Sequence, residues 1–255
     1  MRVLVCVKRV PAPGAKINIT ADGQAVDTAY LAFTTSPHEE CAVEAAVQLV
    51  EQHGGDSTVL TLGPAEADEQ LRYAASIGVN KAVLLPIVEN DWDAQRTAAA
   101  IAAAIRDLEA TDGAFDMVLF GNESADSGNF QVGVRVAHAL ARPMVNGIKG
   151  IEVQGDTVRA KREADAGVEV YAVPMPCVLG VKEGINLPRY PTLKGRLASK
   201  KVDVAQVSPQ GEAGGQQMIT LLQAAEQVSQ TIMLGTGPEA APAVVDLLEE
   251  LGLLK

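Results

Sequence analysis

The sequence predicts an α/β protein: an open, mostly parallel, doubly wound sheet with added antiparallel strands and an extended C-terminal arm. Two observations carry that prediction. From the start to residue 140, apolar runs of strand length alternate with segments of helical period, joined by short connections. Parallel strands need a crossover between them, so a repeated β-α-β order implies a parallel sheet covered on both faces. Past residue 147 the pattern changes to strand-length runs joined by tight turn sequences, which marks antiparallel hairpins.

Taken in order, Arg2–Val7 reads as a buried strand, and His38–Gln52 as a helix with Cys41, Ala45, Val47 and Leu49 toward one face. Thr58–Leu62 is a second strand, and Ala65–Ile77 a helix closed by Gly78. Lys81–Leu85 and the alanine-rich helix Asp93–Leu108 follow, with Asp91 or Asp93 as N-cap. Asp116–Phe120 is a fourth strand and Asn129–Leu140 a fourth helix. Ile148–Val153 and Thr157–Glu163 form a hairpin about Gln154-Gly155-Asp156. Ala164-Asp165-Ala166-Gly167 turns the chain again, before Val168–Val173 and Cys177–Val181. None of these pieces is large enough to bury its own core, so they extend the same sheet. The Gly- and Gln-rich stretch Ser208–Gln217 reads as a linker, followed by helix-like segments Met218–Val228 and Pro238–Leu251. In the last, Val244, Leu247, Leu248 and Leu251 share one stripe that needs covering, by the chain's own domain or by a partner.

Net charge is −11, which disfavours nucleic acid and anionic membrane surfaces. Cys6, Cys41 and Cys177 lie far apart without a C-x-x-C spacing, and Cys6 and Cys177 sit in apolar runs. They read as buried free thiols of a reducing compartment. No apolar run approaches the length of a membrane span, and the alternating N-terminus lacks signal-peptide character. The expectation is a cytoplasmic protein without stable membrane insertion.

His38, His53 and His138 have no metal-spaced partners and read as surface or packing residues. The nucleophile-elbow, zincin, P-loop and G-x-G-x-x-G patterns are absent, and no carboxylate stands in an apolar setting that would raise its pKa. The chain therefore reads as a binder. In an open parallel sheet ligands bind at the strands' carboxyl ends. Four segments gather there: Lys8–Lys16, Thr35–Glu39, Leu62–Ala65 and Gly121–Gly133. Ser36-Pro37 is explained equally well as a helix start, and Gly63-Pro64 as a strand-to-helix turn. The loop after Phe120 is longer than such connections need, spending about seven or eight residues where two to six suffice. Gly121 and Gly128 permit close backbone approach, and free N–H groups around Gly128–Gln131 favour an anion such as a phosphate. Glu123 and Asp126 must then face sugar hydroxyls or solvent. The residues by themselves reach a nucleotide-like ligand.

A family resemblance rests on GINLPRYPTL (184–193), similar to an L-N-x-P-R-Y-x-[TS]-L signature. The segment READAGVEVYAVPMPCVLGV resembles the same family's R-E-x-[DE]-G-G stretch and the strand after it. VLVCVKRV, SPHEECAVEAAVQL and LGPAEADEQLRYAASIGVNKAV are similar to its earlier blocks, so the likeness runs from residue 2 to about 202. The family is the beta subunit of electron transfer flavoprotein, with an adenine nucleotide alpha hydrolase-like α/β fold. The resemblance implies a heterodimer with an alpha subunit that holds most of the FAD, while the beta chain holds AMP and completes the FAD site. It implies electron transfer from flavin-dependent dehydrogenases toward a quinone oxidoreductase, with no catalysis by the beta chain. Carried over by position, the cofactor contacts fall at Cys6, Ser36, Pro37, His38, Glu39 and Leu62. They continue through Gly121, Asn122, Glu123, Ser124, Ala125, Asp126, Ser127, Gly128, Asn129, Phe130, Gln131 and Val132. Two departures stand out: Ser36-Pro37-His38 replaces N-P-[FYW], and Phe130-Gln131-Val132-Gly133 replaces N-Q-T-G, so Val132 lacks the hydroxyl that would reach a phosphate.

Ile185, Asn186, Leu187, Pro188, Arg189 and Tyr190 correspond to the family's partner-binding loop. We expect Ile185 to be the exposed anchor and Leu187 to pack inward. Lys194, Arg196, Lys200 and Lys201 form a basic run beside it, suited to steering acidic partners. Residues 1–200 form the nucleotide-binding domain, and 201–255 a linker and arm whose amphipathic helix docks on the partner subunit. The alternatives are a bifurcating variant with FAD in the beta subunit and NADH oxidation, and an adenine-nucleotide enzyme.

Overall fold

After Arg2, each residue of the first strand supplies one of two cores. Val3 and Val5 lie in a cluster with residues of the first two helices, whereas Leu4 and Cys6 join one with residues of the third and fourth. Strand side chains alternate between faces, so a run such as Val3–Cys6 that is apolar and buried at every position is stable only where both faces are covered. The computed structural model describes residues 1–88, 92–212, 215–224 and 231–254. In chain order they form β1 (Arg2–Cys6), β2 (Val10–Pro11), β3 (Phe33–Thr34), α1 (Pro37–His53), β4 (Asp56–Gly63) and, after a 3₁₀ turn at Ala65–Ala67, α2 (Asp68–Ile77). Then come β5 (Lys81–Pro86), α3 (Ala94–Asp112), β6 (Met117–Gly121), α4 (Val132–Ala139), β7 (Met144–Gln154), β8 (Thr157–Ala164), β9 (Gly167–Pro174) and β10 (Cys177–Val181). α5 (Leu193–Ser199), β11 (Val204–Gln206) and α6 (Ala241–Glu250) complete the order.

The main sheet has nine strands in the order β11-β5-β4-β1-β6-β10-β7-β8-β9. It is parallel as far as β7, and β8 and β9 are antiparallel. The fold class read from the sequence is therefore the observed one. β10 departs from its expected place among the hairpins. It runs parallel between β6 and β7, pairing Cys177 with Met117 and Val178 with Met144. All five of its residues are buried, which an interior strand demands and a hairpin edge does not.

Local chemistry sets the helix boundaries. α1 starts at a capping box: the Ser36 hydroxyl accepts from Glu39 N–H, and the Glu39 carboxylate accepts from Ser36 N–H. Asp93 caps α3 through Arg96 N–H, and Asp91 lies outside the described residues. α4 begins at Val132 instead of Asn129, because Phe130 takes φ = 54° and the helix cannot propagate through a left-handed residue. The sequence reading lacked α5 and β11. The first has seven residues and the second three, too few to display a period. Thr192 caps α5, and a Cβ at Gly195 would lie 2.2 Å from the Ser76 carbonyl oxygen, so glycine lets α5 seat on α2.

The chain divides into two compact units, Met1–Leu221 and Leu222–Lys255. In the first, the expected helix beginning at Met218 is absent. Leu221 N–H instead donates to the Gly23 carbonyl, and Gln24 Nε2 to that of Ile219, so the main chain finds partners outside a helix. Residues 218–224 are non-helical, and 225–228 of that expected helix lie outside the described residues. The second unit holds α6, preceded by a 3₁₀ turn at Gly237–Ala240. Val244, Leu247 and Leu251 of its apolar stripe are exposed.

Candidate functional site

The sheet order reverses beside β1: β4, β5 and β11 lie on one side, β6 to β10 on the other. A crevice at the carboxyl ends of β1 and β6 is where an open α/β sheet receives a ligand. The first turn of α1 and the loop after β6 meet there. A Cβ at Gly121 would approach Glu39 Cγ to 2.8 Å and His38 Cβ to 3.3 Å. Glycine at the end of β6 thus permits the approach of the α1 N-terminus.

Residues 122–131 connect β6 to α4. Asn122 N–H donates to the Val181 carbonyl (2.8 Å), tying the loop to β10. Gly128, at φ = 55°, closes a turn by donating to the Ser124 carbonyl, and the Ser124 and Ser127 hydroxyls lie 2.7 Å apart. The two loop carboxylates turn toward β1 and α1. Asp126 Oδ2 is 2.6 Å from Lys8 Nζ, and Glu123 Oε1 is 3.6 Å from His38 Nε2. Burial works to raise the Asp126 pKa, but the Lys8 charge and hydrogen bond outweigh it and hold the carboxyl below its ordinary value. The N-cap of α4, Gln131, makes no side-chain capping bond, which leaves the first N–H groups of that helix without a side-chain partner from the cap.

The structure brings Ser36, Pro37, His38, Glu39 and Gly121–Val132 to this crevice, with Ala125–Phe130 exposed. Cys6 also ends β1 here, but its side chain is buried in the cluster that includes α3 residues. Leu62 packs against the same cluster, as does Val132. The Val132 side chain is therefore turned to core, and any contact with a ligand from that position is made by its main chain. The expectation that no carboxylate has a raised pKa fails at Glu39. Burial pushes it to about 7, against hydrogen bonds from the Ser36 and Lys8 backbone, the Ser36 side chain and the Lys8 charge. Its spacing gave no warning, since Glu39 reads as an ordinary capping-box residue and becomes buried only because Gly121 packs on it. Cys6 beside it is raised well above an ordinary thiol, by burial and then by the Glu39 charge. Lys8, which the sequence shows only as the start of the loop after β1, is a further contributor through Asp126 and Glu39.

A second surface lies along α1. His38 Nδ1 accepts from Glu183 N–H (2.9 Å), and the Cys41 carbonyl accepts from Asn186 Nδ2 (3.0 Å). The Glu44 carboxylate accepts from Arg189 Nε and Nη2, each at 2.9 Å, and from Gln48 Nε2 at 2.7 Å. Glu51 accepts from Arg189 Nη1 and Nη2 at 2.7 and 2.9 Å. These positions recur at helical spacing and form one stripe. Arg189 and Asn186 are thereby committed to this chain, where the sequence had them facing a partner. The expected exposures are also reversed. Ile185 is half-buried against the core, whereas Leu187 is 89% exposed. The reason lies in the staples to α1, which fix the segment so that Ile185 turns inward. Tyr190, Leu193 and Leu197 are exposed too, beside exposed Lys194, Arg196, Lys200 and Lys201.

No helix among the described residues is long and apolar enough to cross a membrane. Compared with known proteins, residues 25–211 match the family described as "Electron transfer flavoprotein domain". The chain is 37% identical over 207 residues to "Electron transfer flavoprotein subunit beta" of Syntrophomonas wolfei, covering 80% of this chain and 79% of that protein. It is 34% identical to the protein of the same name from Bacillus subtilis, over 65% of this chain and 63% of that one. "Acryloyl-CoA reductase electron transfer subunit gamma" of Anaerotignum propionicum is also 34% identical, over 76% and 73% of the two chains.

The raised Glu39 pKa gives a signed pH prediction. The folded chain keeps the Glu39 proton up to about pH 7, while the unfolded chain releases it near 4.5. Stability from this group is fully present below the unfolded value and is lost as pH rises through the folded one. Glu39→Gln keeps the proton-bearing shape at every pH. Relative to the original protein it gains stability between about pH 4.5 and 7, by about 1.4 kcal/mol per unit of pKa elevation. Urea midpoints at about pH 5 and pH 8 measure this, and parallel pH profiles for the two proteins contradict it.

Proposed function

The chain belongs to the electron transfer flavoprotein beta-subunit family, and from that premise we propose that it carries electrons as one half of an alpha–beta heterodimer. In this reading it accepts them from flavin-dependent dehydrogenases in the cytoplasm and passes them toward a quinone oxidoreductase. FAD, held mainly by the alpha subunit, supplies the redox chemistry. The beta chain makes and breaks no bond: it binds AMP in the crevice, walls off part of the FAD site and docks the partners.

One observation carries the AMP assignment: Asp126 is paired with Lys8 and Glu123 lies beside His38, while the first turn of α4 lacks a side-chain cap. A phosphate suits such a helix start. The ligand is held largely by main chain from Gly121 to Val132 and by the Ser36–Glu39 turn, with position 6 contributing only main chain. Dehydrogenases dock on the segment 185–190 and on α5. The exposed knobs Leu187, Tyr190, Leu193 and Leu197 supply apolar contact, and the neighbouring lysines and Arg196 steer an acidic partner. Residues 201–255 act as the arm that holds the alpha subunit, with the exposed stripe of α6 as its contact.

A second reading is the bifurcating variant, in which the beta site holds FAD and meets NADH. It is favoured by the likeness to the acryloyl-CoA reductase electron transfer subunit.

Mass spectrometry of ligands released from the denatured heterodimer separates the two readings. We expect one FAD and one AMP per heterodimer; two flavins and no AMP replace the first reading with the second. For docking, Leu187→Ala is expected to lower the rate of electron transfer from the dehydrogenase about tenfold without loss of flavin, since a truncated hot-spot side chain costs more than 1 kcal/mol. Stopped-flow reduction of the heterodimer measures this, and an unchanged second-order rate removes Leu187 from the docking surface.

A further inference from the structure

Lys8 follows β1 by two residues, and continuing the strand's alternation places it on the same side as Cys6. Its ammonium crosses the switch point of the sheet to Asp126, in the loop after β6, at 2.6 Å. The other oxygen of Asp126 accepts from Ser127 N–H at 2.7 Å, so both sides of the carboxylate are engaged. Neither end is deeply buried: the side chains are 44% and 30% exposed. Such a pair contributes little to folding stability. Its position is more telling than its strength. It joins two strand ends across a crevice where a carboxylate, in a chain of net charge −11, would repel a phosphate.

We propose that Lys8 is a positioning residue for the anion site, holding the Asp126 carboxylate neutralised and turned away from the phosphate of the bound nucleotide. The proposal rests on the nucleotide reading of the crevice given above. Lys8 acts through Asp126 and does not itself grip the ligand. Three consequences follow from that difference. Removing the ammonium alone leaves an unopposed negative charge in the loop. Removing both charges leaves none, and the main-chain donors of the loop and of α4 remain. Replacing Lys8 by another cation of similar reach preserves the arrangement.

The test uses the intact heterodimer, stripped of nucleotide and titrated with AMP by calorimetry. Lys8→Met is expected to weaken AMP binding about tenfold, and Lys8→Arg to retain it within about twofold. The double variant Lys8→Met/Asp126→Asn is expected to recover most of the loss. Flavin content and circular dichroism of each variant verify that the heterodimer is assembled and folded. Unchanged AMP affinity in Lys8→Met overturns the proposal. So does a double variant as weak as Lys8→Met, because Lys8 then contacts the ligand directly. Should the unsubstituted heterodimer bind no AMP, the nucleotide reading itself fails and takes this proposal with it, an outcome visible before any variant is made.

Discussion

Helix α1 meets the end of β6 at a glycine and holds a long loop along one of its stripes, so both candidate surfaces depend on where this helix sits. Its first turn approaches so closely that no side chain fits at Gly121. Further along, Glu44 is almost wholly buried and accepts from Arg189 and Gln48. A buried carboxylate is tolerable only when paired and hydrogen-bonded. The Arg189 fork meets that demand and also reaches Glu51, lowering the Glu51 pKa through its hydrogen bonds and charge. The loop from Glu183 to Arg189 is therefore fixed from several points, and its exposed members are presented by a rigid support. Rigidity matters for docking, because an anchor already in place loses less entropy on binding.

The crevice faces an electrostatic problem that the rest of the acidic chain does not. An anion entering the crevice would meet carboxylates at Glu39, Glu123 and Asp126. Asp126 is paired with Lys8, and Glu123 lies beside His38. Glu39 is handled by burial, which favours its neutral form. The Lys8 pair offsets the Asp126 charge and burial favours a neutral Glu39, both without adding a cluster of free cations.

The alternation of strand-length and helix-period segments made the parallel half of the sheet legible, because buried strands and amphipathic helices leave opposite periodic marks. Ser36-Pro37 announced the start of α1, and the overlong loop after Phe120 announced the crevice. What stayed hidden depends on contacts distant in sequence. Nothing local to CVLGV says that it inserts between β6 and β7, nor does ARG-TYR spacing near residue 189 reveal a staple to a helix more than a hundred residues earlier. Ile185 and Leu187 are both large and apolar and lie either side of Asn186, so only the staples to Cys41 and Glu44 decide which is turned inward. Lys8 is placed at the strand ends by the sequence, but its pairing is hidden for the same reason: its partner arrives from the loop after β6.

The dependence of the docking segment on α1 is open to one direct measurement. Glu44→Gln combined with Arg189→Met removes the staple without leaving a buried charge unpaired. Hydrogen exchange of this variant, assembled with its partner subunit, reports on each segment separately. Amides of residues 183–190 are predicted to exchange at least about tenfold faster, while those of β1 and β6 keep their protection. Unaltered protection across 183–190 would contradict the account, since the Glu44–Arg189 staple would then contribute nothing to holding the segment.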